Sequence, residues 1–271
     1  MIGARLVLVG AVALLAACGR DGVRPGVPPS GPGRDSAPVG DVDVSRIPEP
    51  VPRAEPRAQY GNHSPYTVLG RSYRVLDSAE GYRERGVASW YGTKFHGKLT
   101  STREPYDMYA FTAAHKTLPL PTYVRVTNLG NGEQLIVRVN DRGPFHDGRI
   151  IDLSYAAAIR LGIAATGTGL VEVEAIDPEH PQAGASPRPQ TATPHPLYVQ
   201  AGSFASRDNA VRLRDRLEAA GFDDLFLDRV LTRGELFHRV RLGPVDSIDA
   251  ADALIERLAA IGIRALSTQV E

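Results

Sequence analysis

The strongest constraint on the fold is an internal repeat in the last third of the chain. YVQAGSFASRDNAVRLRDRLEAAGF (198–222) aligns with RVRLGPVDSIDAADALIERLAAIGI (239–263) at an offset of 41 residues. Each copy has a short strand, a serine cap, an amphipathic helix and a glycine stop. Segments 225–231 and 264–270 supply a further strand after each copy. The order β-α-β-β-α-β predicts a ferredoxin-like or RNA-recognition-like α+β sandwich, a fold that serves many functions.

Two proline-rich tracts divide the rest of the chain. Residues 18–59 include RPGVPPSGPGRDSAPVG and RIPEPVPRAEPRAQ and show no apolar periodicity. A chain of this composition cannot bury enough surface to order itself, so we expect a disordered, extended tether. Residues 177–195 form a second break, which we expect to be a linker. The predicted globular units are therefore 60–176 and 196–271.

Residues 1–17 predict an export signal that is removed. Arg5 precedes an apolar run that is too short to span a bilayer as a stable helix. The run ends in LAAC, which resembles the lipobox of bacterial lipoproteins and implies cleavage before Cys18 and acyl chains attached to it. Gly19 favours the outer membrane over the inner one. The alternative is an ordinary signal peptide with an incidental cysteine.

The unit at 60–176 has the pattern of a small β-barrel. Strand-forming runs bounded by Gly, Asn or Pro occur at 86–92, 122–129, 133–141 and 170–176. Asn131-Gly132 lies between two of these runs and predicts a hairpin. A helix is predicted at 154–163, with Ser154 as its N-cap and Gly162 as its stop. Several short strands and few helices favour a compact barrel.

Composition and motifs argue against several classes of function. The formal net charge is +0, which gives no polybasic signal for nucleic acid. The seven histidines are scattered and form no pair at ligand spacing, and Cys18 is the single cysteine, so no metal site is expected. There is no G-x-S-x-G elbow and no phosphate-binding glycine loop. We therefore expect no metal and no cofactor.

Two polar segments in the first unit could carry chemistry. STREPYDMYAFTAAHKTLPLP (101–121) and VNDRGPFHDGRIIDLS (139–154) place acidic, hydroxyl and imidazole groups among turn-forming residues. The candidates are Glu104, Asp107, Thr112, His115 and Asp141. Each also has a structural interpretation, since a carboxylate such as Asp141 could pair with Arg138 or Arg142, and a histidine such as His115 could cap a turn.

The other aspartates of the second segment have structural interpretations. Asp147 precedes a glycine and is typical of a turn. Asp152 comes just before the predicted helix, so we expect it to cap that helix or to match its dipole.

Taken together, these segments resemble the rare lipoprotein A family. The resemblance runs over about 61–176, through GVASWYGTKFHGKLTS, EPYDMYAFTAAHKTLPLPTYVRVTNL and VRVNDRGPFHDGRIIDLSYAAAIRLG, and YVQAGSFASRDNA resembles the start of a SPOR domain. It implies a double-psi β-barrel followed by a ferredoxin-like SPOR domain. It also implies a lytic transglycosylase that cuts peptidoglycan without water, because the 6-hydroxyl of N-acetylmuramic acid attacks its own anomeric carbon.

The resemblance assigns roles to the candidate residues. Asp141 is the expected general acid/base, with Glu104 and His115 polarising or orienting the site, and with Asp107 and Thr112 in support. Because Asp141 must begin protonated, the adjacent Arg142 is predicted to point elsewhere. The chain departs from the family at Arg103, where members often have glycine. If that position needs a positive φ, arginine is strained there and the Glu104 loop is shifted.

The SPOR resemblance implies binding to glycan strands that lack stem peptides, which accumulate at division septa. Gln200, Ser203, Phe204 and Arg241 are expected to line the binding face, although Phe204 could instead belong to the core. With the lipobox, this predicts a location at the periplasmic face of the outer membrane. Two other functions remain open: a non-catalytic wall-binding lipoprotein, and an expansin-like barrel that loosens the wall without cutting it.

Overall fold

A computed structural model describes residues 35–179, 196–232, 235–265 and 267–270. The export signal at 1–17, Cys18, the start of the tether and most of the linker lie outside these residues. No helix in the described ranges is long and apolar enough to cross a membrane. In the same ranges, no group of three or more His, Cys, Asp or Glu side chains is placed to hold a metal ion.

The first unit is a closed six-stranded barrel in the order β3-β7-β4-β6-β5-β8. A small hairpin precedes it, formed by β1 (Tyr66–Val68) and β2 (Arg71–Tyr73). The barrel elements are β3 (Arg83–Tyr91), β4 (Thr112–His115), β5 (Thr122–Asn128), β6 (Gln134–Asp141), β7 (Arg149–Ser154), α1 (Tyr155–Arg160) and β8 (Gly169–Ala175). Strands β3 and β7 pair in parallel, as do β4 and β6, while the other neighbours pair antiparallel.

The strongest local patterns of the first unit are confirmed. β5 and β6 form the hairpin predicted at Asn131-Gly132, and Gly132 has the positive φ of 73° that a tight turn requires. Ser154 caps α1 by accepting a hydrogen bond from the backbone N–H of Ala157. A buried apolar cluster fills the barrel, including Val124, Val126, Val137 and Leu153 among its fully buried side chains.

Residues 35–59 differ from the disordered tether that their composition predicts. They form no helix or strand, but they lie against the barrel. The Asp35 carboxylate accepts hydrogen bonds from the backbone N–H groups of Gly92 and Lys94, at 2.6 and 3.0 Å. Glu55 forms an ion pair with Arg138 of β6, at 2.8 Å. Polar contacts, together with the packing of Val44 and Ile47 against the barrel core, therefore order a segment that has no core of its own.

The second unit is the predicted βαββαβ sandwich. Its elements are β9 (Leu197–Phe204), α2 (Arg207–Ala219), β10 (Leu225–Thr232), β11 (Glu235–Val245), α3 (Ile248–Ala260) and β12 (Ser267–Val270). The four strands form an antiparallel sheet in the order β10-β11-β9-β12, and the helices cover a separate apolar core on one face. Ser247 caps α3 through the N–H of Ala250, whereas Ser206 makes no side-chain cap bond to α2.

Candidate active site

Asp141 ends β6 with its carboxylate held in one orientation. Its Oδ1 accepts hydrogen bonds from the Ser101 backbone N–H and hydroxyl, at 2.8 and 2.6 Å, and from the Arg142 backbone N–H, at 2.7 Å. Its Oδ2 accepts none from the described residues, and the residue is partly exposed. One oxygen is thus fixed and the other is free to meet a ligand.

Asp141 lines an open cleft of about 480 Å³, which we call the Asp141 cleft. The lining combines aromatic rings, two arginines and small apolar and hydroxyl residues with the Asp141 carboxylate. Its side chains come from Tyr60, His63, Tyr66, Val68, Leu99, Thr100, Ser101, Arg103, Asp141, Arg142 and Phe145, with Gly61 contributing backbone. Aromatic faces beside a carboxylate suit a sugar, which presents both C–H surfaces and hydroxyl groups.

The guanidinium of Arg142 points away from the neighbouring carboxylate, as predicted. It donates to the carbonyl oxygens of Gly61, His115 and Leu118, at 2.8, 3.0 and 2.6 Å. Burial lowers the pKa of Arg142 to about 10. Arg142 is therefore a structural clamp that ties the segment around Gly61 to the end of β4 and the loop that follows it.

Arg103 occupies a backbone conformation that favours glycine. Its φ is 71°, in the left-handed region that is unfavourable for residues with a Cβ. Its guanidinium lies 5.3 Å from the ring centroid of Tyr60, so both side chains border the Asp141 cleft. The backbone strain predicted at this position is present. The cation–π contact between Arg103 and Tyr60 offsets part of its cost.

The Glu104 carboxylate forms its hydrogen bonds with groups other than Asp141. It accepts hydrogen bonds from Arg138 at 2.8 and 3.1 Å and from the Asn140 amide at 2.9 Å. Burial raises the pKa of Glu104, but the bonds from Arg138 and Asn140 outweigh it, so the pKa is lowered overall. Glu104 is thus an ionised group that fixes the strand next to Asp141.

The imidazole of His115 is buried within the barrel wall and does not line the Asp141 cleft. Its Nδ1 accepts from the backbone N–H groups of Thr117 and Leu118, at 3.2 and 3.0 Å. Its Nε2 therefore carries the proton and donates to the Tyr82 hydroxyl, at 2.9 Å. Burial, assisted by Lys116 and Arg142, lowers the pKa of His115 to about 3. His115 reaches the site through its carbonyl oxygen, which accepts from Arg142.

Asp107 and Thr112 occupy different surroundings. Asp107 is exposed and accepts a hydrogen bond from the Tyr109 N–H, at 2.9 Å. The hydroxyl of Thr112 is buried without a hydrogen-bond partner, as is that of Tyr91. The five predicted residues thus do not form one cluster of side chains.

The prediction for Asp152 is wrong, whereas that for Asp147 is confirmed. Asp147 lies in a turn and pairs with Arg71 at 2.6 Å. Asp152 lies inside β7, because α1 begins after Ser154, and it accepts a hydrogen bond from the Ser89 hydroxyl. Burial raises the pKa of the Asp152 carboxyl. The alternation of apolar and polar residues in RIIDLS indicates this strand, because side chains of a strand alternate between its two faces. Asp152 then faces the side opposite to Ile151 and Leu153.

In the second unit, the sheet face without helices carries Gln200 and Arg241, which are register partners on β9 and β11. Arg241 lies 4.6 Å from the ring centroid of Tyr198 and pairs with Asp228 at 2.7 Å. Tyr198 was missed in the sequence, although strand alternation places it on the face of Gln200.

The prediction for Phe204 is wrong, because its ring packs against the core beneath the sheet. The pairing with β11 shifts at Ala201, which is an extra residue in β9. This bulge puts Gly202 opposite the fully buried Val240 and turns Phe204 to the same side. Ser203 remains exposed beside the open face.

Comparison with known proteins gives two family models. A model described as lytic transglycolase matches residues 83–175, and the SPOR domain model matches residues 194–268. An endolytic peptidoglycan transglycosylase RlpA from Pseudomonas aeruginosa is 44% identical, over 81% of this chain and 80% of that protein. One from Vibrio cholerae is 43% identical, over 84% of each chain. The crystal structure of the RlpA SPOR domain from Pseudomonas aeruginosa matches 28% of this chain and 96% of that one, with 28% identity and a TM-score of 0.25.

Proposed function

This chain belongs to the RlpA family of endolytic peptidoglycan transglycosylases, and we propose that it cuts peptidoglycan glycan strands without water. The 6-hydroxyl of N-acetylmuramic acid attacks its own anomeric carbon, and the new end is 1,6-anhydro-N-acetylmuramic acid. Because the nucleophile belongs to the substrate, its proximity is provided without a bound water. The preferred substrates are strands that lack stem peptides.

The observation that carries this proposal is the state of Asp141. Its carboxyl group is held through Oδ1 at the edge of an open cleft, and Oδ2 is free. A positioned carboxyl group of this kind can transfer protons at a glycosidic bond. Ordinary glycosidases need a second group to activate water or to act as nucleophile, whereas the 6-hydroxyl fills that role here. Asp141 is accordingly the acid/base that we propose.

The remaining candidates support this group from behind. Glu104 holds Arg138 and Asn140, which flank Asp141 on β6. His115 anchors Arg142, whose backbone N–H binds the Asp141 carboxylate. We assign both to orientation of the site. Asp107 and Thr112 remain proposed supporting residues at its periphery.

The second unit is proposed to hold the glycan strand. Its helix-free face carries Gln200 and Arg241, which are both largely buried, beside the exposed Ser203 and the partly exposed ring of Tyr198. Polar groups beside an aromatic ring suit a sugar chain. With acyl chains on Cys18, the protein would lie at the periplasmic face of the outer membrane and concentrate at the division septum, where stripped strands accumulate.

The test is digestion of peptide-free glycan strands with the full chain, followed by mass spectrometry of the products. We expect anhydro-ended fragments from the wild type, and their loss with Asp141→Asn. Asp147→Asn is the matched control, because Asp147 pairs with Arg71 outside the Asp141 cleft. Products with reducing ends would mean hydrolysis and contradict the water-free reaction. Intact strands that merely bind would favour a wall-binding or wall-loosening protein.

A further inference from the structure

Asp141 and Asp152 lie on the same rung of the barrel. Ala114 of β4 is the register partner of Asp141 on β6 and of Asp152 on β7. Strands in a sheet are about 4.8 Å apart, so the two aspartate Cα atoms are roughly 10 Å apart, with only a methyl side chain between them. The barrel thus presents two carboxyl groups across one small residue.

The carboxyl group of Asp152 is fixed at one oxygen and open at the other. Oδ1 accepts a hydrogen bond from Ser89, and Oδ2 accepts none from the described residues. Gly143 lies directly beside Oδ2, since a Cβ built on it would be 3.6 Å from that oxygen. A side chain at position 143 would contact this oxygen, and glycine leaves that side of the carboxyl group uncovered. Asp152 keeps some exposed surface, although its surroundings are dense enough for burial to raise its pKa, and it lies next to the Asp141 cleft and not in its lining.

The two carboxyl groups lie in different surroundings. Three hydrogen-bond donors converge on one oxygen of Asp141. Asp152 has one such donor, and burial raises its pKa against the opposing effects of Ser89, Lys116, Arg149 and His146. Two carboxyl groups in unlike environments are the usual basis for separate acid and base roles.

A buried phenol stands near both groups. Burial raises the pKa of Tyr91 well above the usual range, and Tyr106 and the charges of Asp141 and Asp152 add to this effect. Tyr91 is therefore held in its protonated, neutral form. Its hydroxyl lies close to that of Thr112, without the geometry of a regular hydrogen bond, and as a neutral group it balances the charge of neither carboxylate.

We infer that Asp152 is a second catalytic carboxyl group, which protonates the leaving glycosidic oxygen while Asp141 takes the proton of the attacking 6-hydroxyl. This inference rests on the proposed transglycosylase function and divides the proton transfers between two groups. The bond from C1 to the leaving oxygen breaks, and its electron pair takes the Asp152 proton. O6 bonds to C1 and gives its proton to Asp141. Asp141 then returns a proton to Asp152 through solvent, so no water is consumed.

A leaving group that needs no protonation separates the two roles. Asp152→Asn, Asp141→Asn and the control Asp147→Asn are compared on peptide-free glycan strands and on the 4-nitrophenyl β-glycoside of N-acetylmuramic acid. Asp152→Asn is expected to lose about 10²- to 10⁴-fold in kcat on strands, which is typical of a lost general acid, and to stay within a few fold on the aryl glycoside. Asp141→Asn is expected to lose activity on both, and Asp147→Asn on neither.

Equal losses on both substrates, or full activity on strands, would overturn the role of Asp152. Thermal unfolding of Asp152→Asn shows whether a loss on both substrates reflects misfolding, and Asp152→Glu then tests the role by restoring part of the strand activity. A wild type that forms no anhydro ends would instead defeat the proposed function itself.

The pH profile gives an independent readout. If Asp152 must be protonated, the alkaline limb of kcat on strands lies above the ordinary range for aspartate, because burial outweighs Ser89, Lys116, Arg149 and His146. That limb is expected to be absent on the aryl glycoside for the wild type as well as for Asp152→Asn, because this leaving group needs no proton. It is also expected to be absent from the residual activity of Asp152→Asn on strands, and a limb that persists there would mean that another group supplies the proton.

Discussion

At position 103 the chain places a long side chain on a backbone with a φ of 71°. Such a conformation is about 1–2 kcal/mol less favourable for a residue with a Cβ than a right-handed one. Arg103→Gly and Arg103→Ala both remove the contact with Tyr60, so their comparison isolates the backbone. Arg103→Gly is expected to be about 1 kcal/mol more stable than Arg103→Ala in urea unfolding. Equal stabilities would show that the loop relaxes out of this conformation.

His115 makes the stability of the barrel depend on pH. Burial lowers its pKa from 6.5 to about 3 in the folded protein, so between these values the unfolded chain binds a proton that the folded chain does not. The contribution of neutral His115 to the free energy of unfolding is complete above pH 6.5. As the pH drops from 6.5 towards 3, this free energy falls by about 1.4 kcal/mol for each pH unit. Glu55, with a pKa of about 2, loses its contribution only below pH 4.5.

In the interval from pH 6.5 to 4.5, Asp152 also affects stability, because its raised pKa lets the folded chain bind a proton that the unfolded chain does not. The difference between the wild type and His115→Gln therefore isolates His115, since Asp152 is present in both. His115→Gln is expected to lower stability at pH 7 but to lose the His115 part of the pH dependence in this interval, as measured by chemical unfolding of both proteins. Parallel curves for the wild type and the variant would mean that His115 is protonated in the folded state.

At the scale of elements, the local sequence pattern was sufficient to locate strands that are long or belong to a hairpin. β5, β6 and β8 alternate over seven or eight residues and were located to within a residue or two. β4 has four residues and β7 six, and their parallel partners are distant in sequence, so no turn marks them. Missing β7 made Asp152 look like a helix-start residue, and this concealed half of the carboxyl pair.

Some placements depend on contacts that no local pattern contains. The bulge at Ala201 decides which way Phe204 faces, and it exists only in the pairing of β9 with β11. Residues 35–59 are ordered by partners on the barrel, such as Arg138 for Glu55, and not by any apolar periodicity of their own. Asp141 could be located in the sequence because it ends a clear strand before a Gly-Pro turn.

At the scale of the whole molecule, the two units have separate apolar cores, and an ion pair between Arg149 and Asp252 links them. If each unit binds the same glycan strand, the second binding event is intramolecular, and the combined affinity exceeds either alone by about 10²- to 10⁴-fold. This advantage requires a strand long enough to reach both units.

Deletion of residues 196–271 is therefore expected to raise the concentration of long strands needed for half-maximal cleavage by at least about tenfold. Turnover of short soluble fragments should stay within about twofold, because these engage the barrel alone. The measurement compares cleavage of strands and fragments by the two proteins, and full-length Asp141→Asn serves as a binding control that keeps its affinity for strands. An equal loss on both substrates would mean that the second unit supports the folded barrel, since strand capture acts only on long substrates.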